Sequence, residues 1–137
     1  MGGRGIVGIA STNDSDFQYK SEPERIGGYK VLIFKADPHK GLPVYSHTPS
    51  NIYFHRSDEK GYITQMRIYD SKGRAHIDID WSHQHDKIGK GVAHIQKWHI
   101  NKNGDPERSK GATLLSRYYI KKYGDLIKKA YPDIKFK

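Results

Sequence analysis

Apolar residues recur at every second position through the middle of this chain, and at helical spacing near its end. Tyr62 to Tyr69 (YITQMRIY) places Tyr62, Thr64, Met66 and Ile68 on one face and Ile63, Gln65, Arg67 and Tyr69 on the other. Arg74 to Trp81 alternates as well, with Ala75, Ile77, Ile79 and Trp81 apolar and His76, Asp78 and Asp80 polar. Asp70-Ser71-Lys72-Gly73 between them carries hairpin-turn chemistry. Val92 to Ile100 continues the pattern as a third strand. Tyr29 to Phe34 and Ile52 to His55 read as shorter strands ahead of these, separated by turn residues such as Pro38, Gly41 and Pro43.

From about Ser109 the period becomes helical, with Ser109 as the expected N-cap. Leu114, Leu115, Tyr118 and Tyr119 form the expected apolar stripe. Arg117, Lys121 and Lys128 share a basic face. Gly124 is expected to kink or interrupt the helix, and Pro132 to end it. Together these elements predict an α+β fold: an antiparallel β-meander sheet of four to five strands with a C-terminal helix packed on one face. Residues 1–26 are rich in Gly, Ser and Asp without clear periodicity, and are expected to form a flexible N-terminal arm. Residues 27–137 then make a single α+β domain. The face carrying His76, Asp78 and Asp80 is expected opposite the core, open to a cleft or to water.

Composition narrows the function. The chain has no cysteine, which removes disulfides, thiolate zinc sites and thiol nucleophiles. No apolar run approaches the roughly 20 residues of a membrane helix, so no membrane partner is expected. The formal charge is +9, and it is uneven. Residues 1–100 hold 14 Lys/Arg against 11 Asp/Glu; residues 101–137 hold 10 against 4. A basic end of this kind suits a polyanionic partner, RNA or DNA. The cations expected to meet it are Lys87, Lys90, Lys97, Arg108, Arg117, Lys121 and Lys128.

The chemistry concentrates between Gly73 and Ile100, where five of the eight histidines fall. Period-2 geometry points His76, Asp78 and Asp80 the same way, with the two aspartates about 7 Å apart along the strand. Taken alone, such a strand is also an ordinary solvated face. The adjoining loop adds His83-Gln84-His85, a spacing that suits metal ligation or general base work. His94 is expected beside the His76/Asp78 strand. Two mechanisms are open. In a metal-independent ribonuclease one histidine takes the 2′-hydroxyl proton and a second protonates the leaving oxygen, with the pair drawn from His83, His85 and His94. Asp78 and Asp80 would support them, and Arg67, Lys97 or Arg108 would stabilise the phosphate charge. In a metal-dependent nuclease Asp78, Asp80, His83 and His85 would hold a divalent ion that activates water. The first, with no cofactor, is the favoured expectation.

The residue order YDSKGRAHIDIDWSHQHDKIGKGVAHIQKWH resembles C-terminal domains of phage minor head proteins and of bacterial polymorphic toxins. The matching positions are Asp70, Gly73, Asp78, Asp80, His83 or His85, His94 and Trp98, over about residues 60–100; Gly2 to Gly5 resembles the junction that often precedes such domains. The resemblance implies a toxin ribonuclease of the barnase/EndoU/colicin type, with a four-stranded sheet and no metal. It also implies a phage or toxin setting: action in the cytoplasm of a host or target cell, delivery within a larger protein, and a cognate immunity protein as partner. A phage setting equally allows a non-enzymatic protein that binds nucleic acid or inhibits a host nucleic-acid enzyme. The chain departs from the pattern at Ala93, where relatives keep Pro, and at Gln96, where a second His often stands. If that second His is catalytic in relatives, this chain either lacks activity or uses His99 or His85 in its place.

Overall fold

The structure, a computed structural model, describes residues 19–34, 42–57, 60–83 and 88–137. Eight strands and one helix follow in order: β1 (Tyr19–Ile26), β2 (Tyr29–Phe34), β3 (Ile52–Arg56), β4 (Ile63–Tyr69), β5 (Ala75–Asp80), β6 (His94–Ile100), β7 (Pro106–Arg108), β8 (Thr113–Leu114) and α1 (Arg117–Ala130). The strands form one open sheet in the order β1-β2-β3-β4-β5-β6-β7, with β8 also pairing β6. Every pairing is antiparallel except β2 with β3. The α+β class is as expected, but eight strands stand where four or five were expected.

Each extra strand has a reason for escaping the pattern. Tyr19–Ile26 falls in the stretch assigned to the arm, yet it pairs with β2 through a tight turn at Gly27 and Gly28, both at positive φ. Its alternation is broken by Pro23, which sits where the register shifts between Ser21 and Arg25 on an edge strand. β7 and β8 are three and two residues long, below what a period can reveal. The parallel β2–β3 pair replaces the expected meander connection, and residues 42–51 ahead of β3 lie over one face of the sheet. That segment is fastened to the β4–β5 hairpin: Ser46 N–H donates to Gly73 O, Ser50 N–H to Asp70 O, and Ala75 N–H to Val44 O.

The sheet therefore has two covered faces. On one, Phe54, Met66, Ile79, Trp81 and Ile95 pack with Ile127 and the partly buried Tyr123 of α1. On the other, Leu32, Tyr53, Tyr69 and Ala75 pack under Leu42 and Val44 of the crossover. The helix starts later than expected, with Ser116 rather than Ser109 at the N-cap. Ser109 instead donates its N–H to Lys97 O beside β6. The helix also runs unbroken through Gly124, which is buried beside Ile120 and Phe136. Of the expected stripe, Leu115 is buried, but Leu114 and Tyr118 are exposed. The burying face is carried by Tyr119, Ile120, Tyr123, Leu126 and Ile127. No helix among the described residues is long and apolar enough to cross a membrane.

Candidate functional site

Two polar rows cross the sheet beneath the crossover segment. Strand register sets Tyr53, Arg67, Asp78 and Gln96 side by side on β3, β4, β5 and β6. The next row is His55, Gln65, Asp80 and His94 on the same four strands. Two bulges decide which side chains join them. An extra residue on β4 between the His55 and Arg56 pairings turns both Thr64 and Gln65 to this face. An extra residue on β5, where Ile68 pairs with Ile77 and Tyr69 with Ala75, moves Ala75 to the face of Asp78. It also removes His76, which lines a separate pocket with Ile77, Tyr119 and Tyr123. The expected grouping of His76 with Asp78 and Asp80 fails at that bulge.

The Arg67–Asp78 row of this face is closed off from water. Asp78 is 0% exposed and Arg67 4%. Arg67 Nε donates to Asp78 Oδ1 at 2.5 Å and Nη2 to Oδ2 at 3.0 Å, a bidentate pair. Arg67 Nη1 donates to Leu42 O and Pro43 O at 2.5 and 3.2 Å, so the crossover is clamped by the same guanidinium. The Trp98 ring covers it at 4.8 Å. Burial alone would weaken a guanidinium's hold on its proton; the charge and hydrogen bonds of Asp78 outweigh that and raise Arg67 above its ordinary value. Arg108 from β7 gives Asp78 Oδ2 a third contact, at 3.1 Å, with its own side chain 44% exposed.

Beside this network a cavity of about 690 Å³ opens, walled by His55, Gln65, Asp80, His83, Trp98 and Arg108 among others. Asp80 is 6% exposed and has no hydrogen bond or ion pair to any described residue. Burial first, and the charge of Asp78 second, push its carboxyl up to about 7, against the opposing pull of Arg108 and Arg67. His55 is pushed the other way, down to about 4, by burial and then by Arg67. Two titratable groups on one cavity are thus driven apart, the usual mark of an acid and a base.

The sequence-predicted residues are distributed unequally. Arg67, Asp80, His83 and Arg108 line the cavity, and Asp78 lies directly behind it. His94 is fully buried; its Nδ1 donates to Val92 O at 3.1 Å and its ring meets His83 edge-on at 5.1 Å. It supports His83 rather than walling the cavity. His85 and Lys87 lie outside the described residues. Lys90 and Lys97 are exposed. Arg117, Lys121 and Lys128 are exposed on α1, across the sheet from the cavity. Among the described residues no three His, Asp or Glu side chains converge as metal ligands. Both oxygens of Asp78 are already held by guanidinium groups. His55 was missed, because it follows three apolar residues, Ile52 to Phe54, in a short strand well outside the histidine-rich stretch.

No family model, curated protein or solved structure matches this chain.

Proposed function

We propose that the cavity is the active site of a small, metal-independent ribonuclease of phage or toxin type. The observation that carries this reading is Asp80: a buried carboxyl with no partner among the described residues, facing a cavity that also presents Arg108 and two histidines. A protein that needed only stability would pair such a group or replace it. With its proton held to about pH 7, Asp80 can protonate a leaving oxygen at neutral pH. Arg108, half-exposed, meets the phosphate; Arg67, spent on Asp78 and the crossover, fixes the positive field behind it. One of the two cavity histidines takes the 2′-hydroxyl proton, which makes RNA rather than DNA the substrate. The partner is therefore RNA, with an immunity protein as a further partner in a toxin setting.

The alternative is a binding protein that acts on nucleic acid or on a host nucleic-acid enzyme without turnover. It is favoured by the exposed cations Arg117, Lys121 and Lys128 on a helix remote from the cavity. End-labelled RNA incubated with the protein, with and without EDTA, separates the readings. Cleavage that survives EDTA and disappears in Asp80→Asn is expected. Salt-dependent binding with no cleavage would favour the binding protein, and cleavage abolished by EDTA would favour Asp78, Asp80, His83 and His85 as ligands of a divalent ion.

A further inference from the structure

We infer that His55 is the general base of this cavity, working opposite Asp80 across Gln65 on an RNA phosphodiester. The inference rests on the ribonuclease reading and names the histidine that reading leaves open.

The tautomer of His55 can be read from its neighbour. The Thr64 hydroxyl donates its one proton to His55 O at 3.4 Å. Its oxygen can then only accept from His55 Nδ1, at 3.3 Å. Nδ1 thus carries the proton and Nε2 the lone pair. Nε2 is buried and has no hydrogen-bond partner among the described residues. A buried acceptor left this way costs about 1–3 kcal/mol unless something donates to it. His55 lines the cavity, so the donor can come from a bound molecule. A ribose 2′-hydroxyl supplies that donor.

The row geometry fits the reaction. His55 pairs with Gln65, and Gln65 with Asp80, so the acid and the base stand two strands apart on one face. Strands are about 4.8 Å apart, which separates the two backbones by about 10 Å. In-line displacement puts the attacking and leaving oxygens on opposite sides of phosphorus, each needing a proton partner about 2.6–3.2 Å away. Two groups flanking a phosphate satisfy this; two groups in contact do not. Gln65 between them can hold a non-bridging oxygen through its amide. In the step itself the 2′-oxygen forms a bond to phosphorus while its proton passes to His55 Nε2. The bond from phosphorus to the 5′-oxygen breaks, and that oxygen takes the proton of Asp80. The products are a 2′,3′-cyclic phosphate and a 5′-hydroxyl. His83, exposed at the rim and braced by His94, contacts the substrate without being the base.

The test is a kinetic comparison of wild type, His55→Gln and His83→Ala on a fluorescent RNA oligonucleotide, with products identified by mass. Wild type should leave cyclic phosphate ends. His55→Gln should lose 10²–10⁴-fold in kcat with KM little changed, and His83→Ala should lose less. The wild-type rate should be bell-shaped in pH. It rises through about 4 as His55 loses its proton and falls through about 7 as Asp80 loses its own. Burial and Arg67 set the lower limb at His55; burial and Asp78 of β5, against Arg108 of β7 and Arg67 of β4, set the upper limb at Asp80, which pairs with His94 on β6. A His55→Gln enzyme within tenfold of wild type, or a His83→Ala enzyme that loses more, overturns His55 as base and leaves the ribonuclease standing. A wild type that cuts no RNA overturns both. If His55→Gln does not fold, the His55 ring is followed by NMR in wild type with added nucleoside 3′-monophosphates. A shift of its ring signals supports the assignment, and their indifference overturns it.

Discussion

Asp78 and Asp80 share one strand and one face, two residues apart, yet Asp78 is bound by two arginines and Asp80 by none. The difference decides which of them is structural. Asp78 is the counter-charge that lets Arg67 be buried; Asp80 is a cost the fold carries.

That cost should be measurable. The Asp80 carboxyl is raised from 3.8 to about 7 in the folded protein. The folded state therefore binds the extra proton between those values, and stability falls as pH rises through about 7. Asp80→Asn removes the titration. It should be more stable than wild type at pH 8, by at most about 4 kcal/mol, and close to wild type at pH 4. Urea denaturation at the two pH values checks it. An equal difference at both would show that Asp80 does not titrate in this range. A substitution that stabilises the chain while abolishing cleavage is the trade-off expected of an active-site group.

Arg67 and Arg108 should part ways on substitution. Arg67→Ala leaves Asp78 buried without its bidentate partner and frees the crossover, so a loss of about 3–5 kcal/mol is expected. Arg108 is half-exposed, and Arg108→Ala should cost within about 1 kcal/mol while weakening RNA cleavage. Thermal melts beside cleavage rates separate the two. Equal destabilisation would mean that Arg108 anchors Asp78 as firmly as Arg67 does.

The basic face of α1 makes a separate prediction. Reversing Arg117, Lys121 and Lys128 to Glu should weaken RNA binding and flatten its salt dependence by about 2 in the log–log slope, if each meets one phosphate of a single strand. Filter binding from 50 to 200 mM salt measures it. An unchanged slope would remove α1 from the RNA path.

Gly124 offers a check on the packing of α1. A Cβ there would meet Ile120 Cγ2 at 3.5 Å and Phe136 at 3.9 Å, ordinary contact distances. Gly124→Ala should therefore stabilise the protein by about 0.5–1 kcal/mol, the helix-propensity difference. A drop in the melting temperature would mean that Phe136 sits closer than these distances allow.

Much of the meander was legible because β4, β5 and β6 alternate. The faces were misassigned wherever a bulge intervened. Whether Thr64 or Ala75 shifts face depends on the partner strand, which period-2 reasoning does not see. The polar face was expected to open to a cleft or to water; Asp80 does line a cavity there, but Asp78 is covered. Its cover comes from Leu42 and Val44, some thirty-five residues upstream, in a segment that carries only turn signals. His55 was invisible for a related reason. Its chemistry arises from lying in register with Gln65 and Asp80, and nothing within IYFH announces that. Asp80, His83 and Arg108 were legible because charged and ionisable residues crowd that part of the chain.

The parallel return from β2 to β3 has a bearing on folding order. The β3–β6 meander is built from neighbouring segments and can form early, whereas the crossover must close a loop before its contacts contribute. Until Leu42 and Pro43 accept from Arg67, the floor of the cavity exists without its wall. A chain arrested at that stage would carry every residue of the site and still be inert. Under the proposed ribonuclease reading, cleavage would then appear only after the slowest folding step, when the crossover seats on Arg67.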